Sequence, residues 1–433
     1  MSGRRTVGFA TCAALVVANM VGTGVFTSLG FQLAEIPSRP AIMILWALGG
    51  VLALSGALCY AELSAAMPRS GGEYHFLGRI YHPAVGFMAG IVSIIVGFAA
   101  PVALSAMAFG SYMQGVVPAV PALAASVAVV VVITLFHLRD LRLSSIFQII
   151  FTALKIGLVL FLSVALLAAP AAPQTPAPAW SSYLLTSPFA VSLMFTLYAY
   201  SGWNAATYIL GEVRTPSQTI PRALTVGTLA VMALYLLLNH AFLHAAPSAR
   251  LAGELNVAQV AAENVFGNGG GRLVAAIISL GLVSAISAMI WAGPRVAMVI
   301  GEDYPRTLGW LGFGNSAGIP VVAVAVQSAL TLLLLLTSTF EQVLVYTQFA
   351  LLACSFLTVL GVVVLRIRHP SLPRPFKVPL YPATPLVFLA ISAFAMVYTA
   401  ASRPAEAICG ALTLLGGLGI YLLAREHRKS APR

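Results

Sequence analysis

The stretch "NMVGTGVFTS", Asn19 to Ser28, lies inside the first long apolar run of the chain, where a membrane-crossing helix is expected. At its centre, Gly22-Thr23-Gly24 sets two poor helix formers around a β-branched residue, so a helix entering this stretch is expected to break there. That reading requires the run to cross a bilayer, and composition decides whether it does. Of 433 residues, 60% are hydrophobic and 8% charged, against roughly 45–50% and 25% in soluble domains. A helix needs about 20 apolar residues to cross the hydrocarbon layer. About twelve such runs occur, near 7–33, 40–66, 84–115, 121–137, 144–169, 187–210, 222–243, 272–300, 318–337, 341–366, 384–401 and 405–424. The sequence predicts an all-α membrane protein built as a single transmembrane domain over 1–433. The first run is too long for a signal peptide, and no small-residue cleavage site precedes a soluble portion, so it counts as the first span.

The formal charge of +11 invites a nucleic-acid reading, but the placement of the charges argues against it. With Arg4 and Arg5 on the cytoplasmic side and each run crossing once, eighteen Lys and Arg residues fall on that side. Four, Arg39, Arg250, Arg272 and Arg403, fall on the other. This is the positive-inside bias of a protein with an even number of spans and cytoplasmic N- and C-termini. No basic cluster accompanies a nucleic-acid reader motif.

Cys12, Cys59, Cys354 and Cys409 all lie in apolar runs without CxxC or CxxH spacing and read as small core residues. No stretch has the spacing of metal ligands, a phosphate-cradling loop or a nucleophile elbow. No cofactor, metal or enzymatic activity is therefore expected. Between the spans, "PAAPQTPAP" at 170–178 reads as a proline-stiffened external linker. "MPRSGGEYHFLGRIYHP" at 67–83 reads as a cytoplasmic connection with a short amphipathic helix from Glu73 onward, and 244–271 as the one external segment with room for surface helices.

Backbone inside a bilayer can leave the helix only where protein or a water-filled cavity satisfies its freed N–H and C=O groups. A second stretch invites this: "LYAYSGWNAA", Leu197 to Ala206, sets Ser201-Gly202 amid polar and aromatic residues in the sixth run. Ten core spans divide as five plus five. Five is odd, so a second half starting at span six begins from the opposite face, as an inverted repeat requires. Glycines in membrane helices also serve as surfaces for close packing, and that use stays open for each break taken alone. As a site, the break in span one would expose the N-terminus of a half-helix starting near Val25, whose N–H groups and positive dipole end suit a carboxylate. Carbonyls just before it, at Asn19 to Val21, and those around Tyr198, Ala199 and Ser201 would suit an ammonium. Together they describe a mid-membrane site for an α-amino acid.

Lys155, in "IFQIIFTALKIGLVLFL", is the one basic residue placed well inside a span. A central lysine costs roughly 2.5–3.5 kcal/mol on insertion scales. It lies about eleven residues, or ~16 Å, past the cytoplasmic end of its run, a depth from which snorkelling to the interface is difficult. The alternative is that carbonyls and hydroxyls at the broken helix hold its amine.

These features coincide with longer motifs: "VGTGVF" in span one, "YAELSAAMPRSGGEYHFLGRIYHP" at 60–83, "FTALKIG" at 151–157, "YAYSGWNAATYILGEVRTPSQTIPRAL" at 198–224 and "AGPR" at 292–295. The chain resembles transporters of the amino acid, polyamine and organocation (APC) superfamily over essentially its full length, nearest the L-type amino acid transporter branch and its bacterial homologues. The resemblance implies a LeuT-like fold of five plus five inverted repeats with discontinuous helices 1 and 6, repeat one at about 7–169 and repeat two at about 187–366. Two accessory helices follow at about 384–424. It implies that backbone N–H groups of Thr23 and Gly24, with Gly22 adjoining, take the substrate carboxylate. Carbonyls of Met20, Tyr198 and Ser201, with Ala199 and Gly202 in the same break, would take the amino group. Tyr198 matches a large aromatic that closes over the substrate. Lys155 matches a fifth-span lysine that replaces a bound sodium ion between spans one and eight, with Ser284 or Ser287 as neighbours.

The expected function is secondary active transport of L-amino acids by alternating access, as an exchanger or coupled to protons. Eukaryotic relatives that pair with a glycoprotein carry an external cysteine between spans three and four. Here that loop, "SYMQGVVPAVP", has none, so no disulfide-linked glycoprotein subunit is expected. No Asp or Glu lies near the breaks, and an unpaired buried cationic side chain is costly, which favours neutral amino acids over cationic ones or polyamines. A membrane channel using the same cavity is the competing class. High Arg and Ala usage points to a bacterial inner membrane, with the amino acid substrate, the lipid bilayer and, in the proton-coupled alternative, protons as partners.

Overall fold

The computed structural model describes residues 7–139, 145–173, 176, 178–315 and 319–424. Arg4, Arg5, Arg142 and the basic residues beyond 424, which enter the charge count above, lie outside the described residues, as do parts of the 170–178 linker. Among the described residues the chain is helical, apart from one parallel bridge between Val7 and Val213.

In chain order the helices are α1 (Phe9–Met20), α2 (Gly24–Glu35), α3 (Arg39–Ala66), α4 (Gly72–Ile80), α5 (Pro83–Val92), α6 (Ala100–Val116), α7 (Ala122–Leu138), α8 (Ser145–Leu167), α9 (Ser187–Ala199), α10 (Pro216–Ala245), α11 (Ser248–Leu251), α12 (Val257–Asp303), α13 (Val321–Thr337), α14 (Phe340–Arg368), α15 (Ala383–Ser402) and α16 (Pro404–Ala424). A π-helical stretch, Ser93–Ala99, joins α5 to α6, and a 3₁₀ segment, Ala205–Glu212, follows α9. Nine of the described helical stretches are long and apolar enough to cross a membrane, with α1 and α2 taken together as Phe9–Glu35. Three shorter apolar helices, α7, α9 and α13, fall where the sequence places spans four, six and nine.

Local chemistry sets several boundaries. Ser38 precedes α3 in extended backbone, with a proline in the first turn, where the missing N–H does no harm. Thr186 caps α9, its Oγ1 accepting from Phe189 N at 3.4 Å. The amphipathic helix expected from Glu73 is α4. The segment 244–271 carries α11 and the start of α12, which turns at Gly267 (φ 71°) before its long apolar stretch.

The chain forms two compact units, each from three stretches. One comprises Met1–Gly86, Leu162–Glu254 and Leu352–Pro404. In it, α3 packs along α10, α10 along α1, and α2 along α9, around buried Trp46, Tyr60, Tyr200 and Tyr235. The other comprises Phe87–Phe161, Leu255–Leu351 and Ala405–Arg433. Its core is aliphatic: Val102, Val130, Ile133, Ile286, Ile290 and Val324 join α6, α7, α12 and α13. There Thr331 Oγ1 donates to Ala99 O at 3.0 Å, satisfying a carbonyl where the π-helical stretch returns to α geometry.

Candidate functional site

Both interruptions read from the sequence lie in the first unit. α1 stops at Met20, residues 21–23 bend, and α2 starts at Gly24. α9 stops at Ala199, residues 200–204 form turns, and the 3₁₀ segment follows. The breaks meet. A Cβ on Gly24 would lie 2.6 Å from Ala199 Cα, and one on Gly202 would lie 2.8 Å from Asn19 O. Gly202 adopts φ 97°, a conformation that strains any other residue. At Gly22 the nearest atom to an added Cβ is Met20 O, at 3.9 Å, so this glycine borders open space. Of the two glycines flanking Thr23, then, Gly24 serves close packing and Gly22 stands beside the room a ligand needs.

The polar groups at the breaks are tied together. Tyr235, on α10 and fully buried, donates its hydroxyl to Met20 O at 2.5 Å and lies 3.2 Å from Ala199 O, joining the carbonyl ends of α1 and α9. Met20 O also accepts from Gly22 N at 2.8 Å, and Tyr198 O accepts from Ser201 N at 3.0 Å. An ammonium at these carbonyls would therefore share or displace existing donors. The Tyr198 phenol is buried within hydrogen-bonding reach of the Thr23 side chain, so it spans the two breaks. At the start of α2 Phe26 N donates to Thr23 O at 3.0 Å, and the Gly24 and Val25 amides stand at the positive dipole end of the helix.

The half-helices α2 and α9 are linked as closely. Gln32 Nε2 donates to Ser192 O at 2.9 Å and Thr196 Oγ1 at 2.7 Å, while its Oε1 accepts from Trp46 Nε1 at 3.0 Å. Ser28 Oγ donates to Phe195 O at 3.2 Å. At the other end, Val7 N donates to Glu212 O at 3.0 Å and Arg214 N to Val7 O at 3.1 Å, so the residue before α1 and the end of the 3₁₀ segment are also joined main chain to main chain.

In the second unit, Lys155 is half-buried on α8. Its side chain lies against Gly281 of α12, where an added Cβ would come 3.0 Å from Lys155 Cγ. Ser284 and Ser287 are buried on the same helix, but Ser287 Oγ is 3.0 Å from His137 Nε2 and so is engaged with α7. Sequence reasoning did not single out Tyr235, Gln32 or Trp46. A buried glutamine within an apolar run was the one signal it carried, and the partners of these side chains are far away in sequence.

Two helices that stop inside the apolar layer and bring their freed main-chain groups together define a membrane carrier rather than a plain helical bundle. Comparison with known proteins makes this specific. The profile of the Amino acid permease family matches residues 7–417, and the chain belongs to that family, an integral membrane permease and not an enzyme. It is similar to the serine/threonine exchanger SteT of Bacillus subtilis (strain 168), 27% identical over 99% of this chain and 98% of that protein. It is also similar to the b(0,+)-type amino acid transporter 1 of Rattus norvegicus, 28% identical over 98% and 89%. The large neutral amino acids transporter small subunit 2 of the same species is 26% identical over 97% and 80%.

Proposed function

We propose that this permease is a secondary transporter that exchanges neutral L-amino acids by alternating access through a site at the paired helix breaks. The observation that carries the reading is the junction of α1/α2 with α9 and its 3₁₀ continuation: open space beside Gly22, a helix start at Gly24, and the Met20 and Ala199 carbonyls gathered on Tyr235. The carboxylate is taken by the Thr23 and Gly24 amides beside Gly22. The ammonium is taken by carbonyls of Met20, Tyr198 and Ser201, with Ala199 and Gly202 shaping that wall, and Tyr198 closes over the bound molecule. Lys155 replaces a coupling cation, its stem accommodated by Gly281. The names of the serine/threonine exchanger and the large neutral amino acids transporter support exchange and neutral substrates.

On this reading the nine long and three shorter apolar helices are twelve spans, a LeuT-like pair of five-span inverted repeats (about 7–169 and 187–366) followed by accessory helices at about 384–424, all in one transporter domain. The charge bias puts both termini in the cytoplasm of a bacterium, with the chain in its inner membrane. The loop between spans three and four offers no cysteine to a glycoprotein partner.

Reconstitution into liposomes with a panel of labelled amino acids, with and without internal substrate and a pH gradient, tests the proposal. Saturable uptake stimulated by internal neutral amino acids is expected, whereas non-saturating flux with no trans-stimulation identifies a channel. In the same vesicles, Lys155→Ala is expected to slow exchange by about 10–100-fold, the worth of one charge-assisted hydrogen bond. An unchanged rate would remove Lys155 from the mechanism.

A further inference from the structure

The connection between α3 and α5 holds a buried carboxyl that the proposed substrate site does not use. Glu73, in the first turn of α4 and outside the apolar spans, is 4% exposed. Its Oε1 accepts from the Tyr60 hydroxyl of α3 and, at 3.0 Å, from Ser355 Oγ of α14. Both donors are neutral. Burial raises the carboxyl's pKa, and these two hydrogen bonds oppose the rise.

The fully buried Tyr60 ring meets Trp203 edge-on, with centroids 4.7 Å apart and planes at 81°. Trp203 directly follows Gly202, the left-handed turn of the second break. One turn before Tyr60 on α3, an added Cβ on Gly56 would come within 2.8 Å of the same indole. The buried Trp203 ring thus packs on α3 at both Gly56 and Tyr60. α4 and the residues just before it also hold the 3₁₀ segment beyond the break. Gly211 N donates to Ser70 Oγ at 2.8 Å, and the Tyr208 ring lies against Gly72 (φ 52°), 2.6 Å from where a Cβ would be.

We propose that Glu73 is a positioning residue of the transport cycle: by holding the Tyr60 hydroxyl it fixes Trp203 at the second break until the site opens toward the face carrying the N-terminal end of α1, and so sets the apparent substrate affinity on that face. The inference rests on the alternating-access reading, because only then does the 3₁₀ segment pinned to α4 have to move for opening to that face. Displacing it carries α4 along and draws the carboxyl away from Tyr60. The opposite face opens at α2 and α9, which α4 does not touch through these bonds.

The test measures half-saturation on each face of oriented proteoliposomes for wild type, Glu73→Gln, Tyr60→Phe and the double variant. Tyr60→Phe keeps the ring and carries the test should Glu73→Gln fail to fold. Each single variant is expected to shift half-saturation on the N-terminal face by about fivefold, the size of one hydrogen bond, with the opposite face within about twofold. The double variant is expected to shift no further than either single one, as for two residues acting through one contact. Lowered thermal stability or maximal rate with both half-saturations unchanged makes the cluster a brace and overturns the inference, as does an equal shift on both faces. Wild-type flux without saturation or trans-stimulation overturns alternating access itself, whereas normal wild-type exchange with unshifted variants overturns only the role of Glu73.

Discussion

The two breaks use different means to leave the helix. The first takes three residues and returns at once to α geometry, with room beside Gly22. The second takes five, needs a left-handed glycine, and continues as a 3₁₀ segment whose amides fold back locally: Ala205 N donates to Gly202 O at 3.0 Å and Thr207 N to Asn204 O at 2.9 Å. The first break also folds back locally, with Gly22 N on Met20 O at 2.8 Å and Phe26 N on Thr23 O at 3.0 Å, but it keeps open space beside Gly22. The first break therefore has room beside it, while the second is packed against its neighbours. The side chains around them follow the same division: Tyr198 reaches across to Thr23, while Trp203 and Tyr208 turn toward α3 and α4.

Substitutions at the breaks test this contrast. The largest effect is expected at Gly202→Ala, where left-handed backbone and contact with Asn19 O combine to lower stability by about 2–4 kcal/mol, read as a fall in the melting temperature of the detergent-purified protein. Tyr235→Phe removes one donor from two buried carbonyls and is expected to cost about 1–3 kcal/mol. If the carbonyls serve an ammonium, bound amino acid will restore more melting temperature to this variant than to wild type, and equal ligand stabilisation in both would count against shared use. Gly22→Ala is the converse of Gly202→Ala. Stability should stay within about 0.5 kcal/mol, while half-saturation rises by about tenfold as the methyl enters the carboxylate's space; unchanged affinity would move the carboxylate elsewhere.

The smallest expected effect is on the connection that braces the second break. Burial, with Arg69 and Arg79 nearby, holds the His75 imidazole down to about 4 from an ordinary 6.5. Between those values the unfolded chain binds the proton that the folded chain refuses, so stability falls as pH drops from 6.5 toward 4. Melting curves across that window should flatten in His75→Gln. The same slope in both proteins would place the acid sensitivity elsewhere.

The comparison also bears on Gly24. From sequence it is the glycine that lets a carboxylate approach. In the structure a side chain there would collide first with Ala199, so Gly24→Leu would disturb the packing of α2 on α9 before it disturbed binding. Gly22, its neighbour in the motif, is the cleaner probe.

The location of both breaks was legible in the chain because a bilayer leaves few reasons for Gly-Thr-Gly or Ser-Gly to stand inside a long apolar run. Composition and the spacing of the runs carried the helical membrane character for the same reason: every main-chain polar group in hydrocarbon must be satisfied within its own helix or by a neighbour. The amphipathic α4 was legible from its mixed, Gly-flanked sequence between two apolar runs. The partners were not legible. Tyr235 joins Met20 across 215 residues, Gln32 reaches Thr196 across 164, and Glu73 meets Ser355 across 282. A buried hydroxyl, amide or carboxyl states in sequence only that it needs a partner. Which one it finds depends on which helices lie side by side, and that is a property of the packed chain. The sequence by itself determined where the helices must stop. Tertiary structure decided which of their glycines borders open space and which are held against their neighbours, because that depends on what packs within a few ångströms of each glycine.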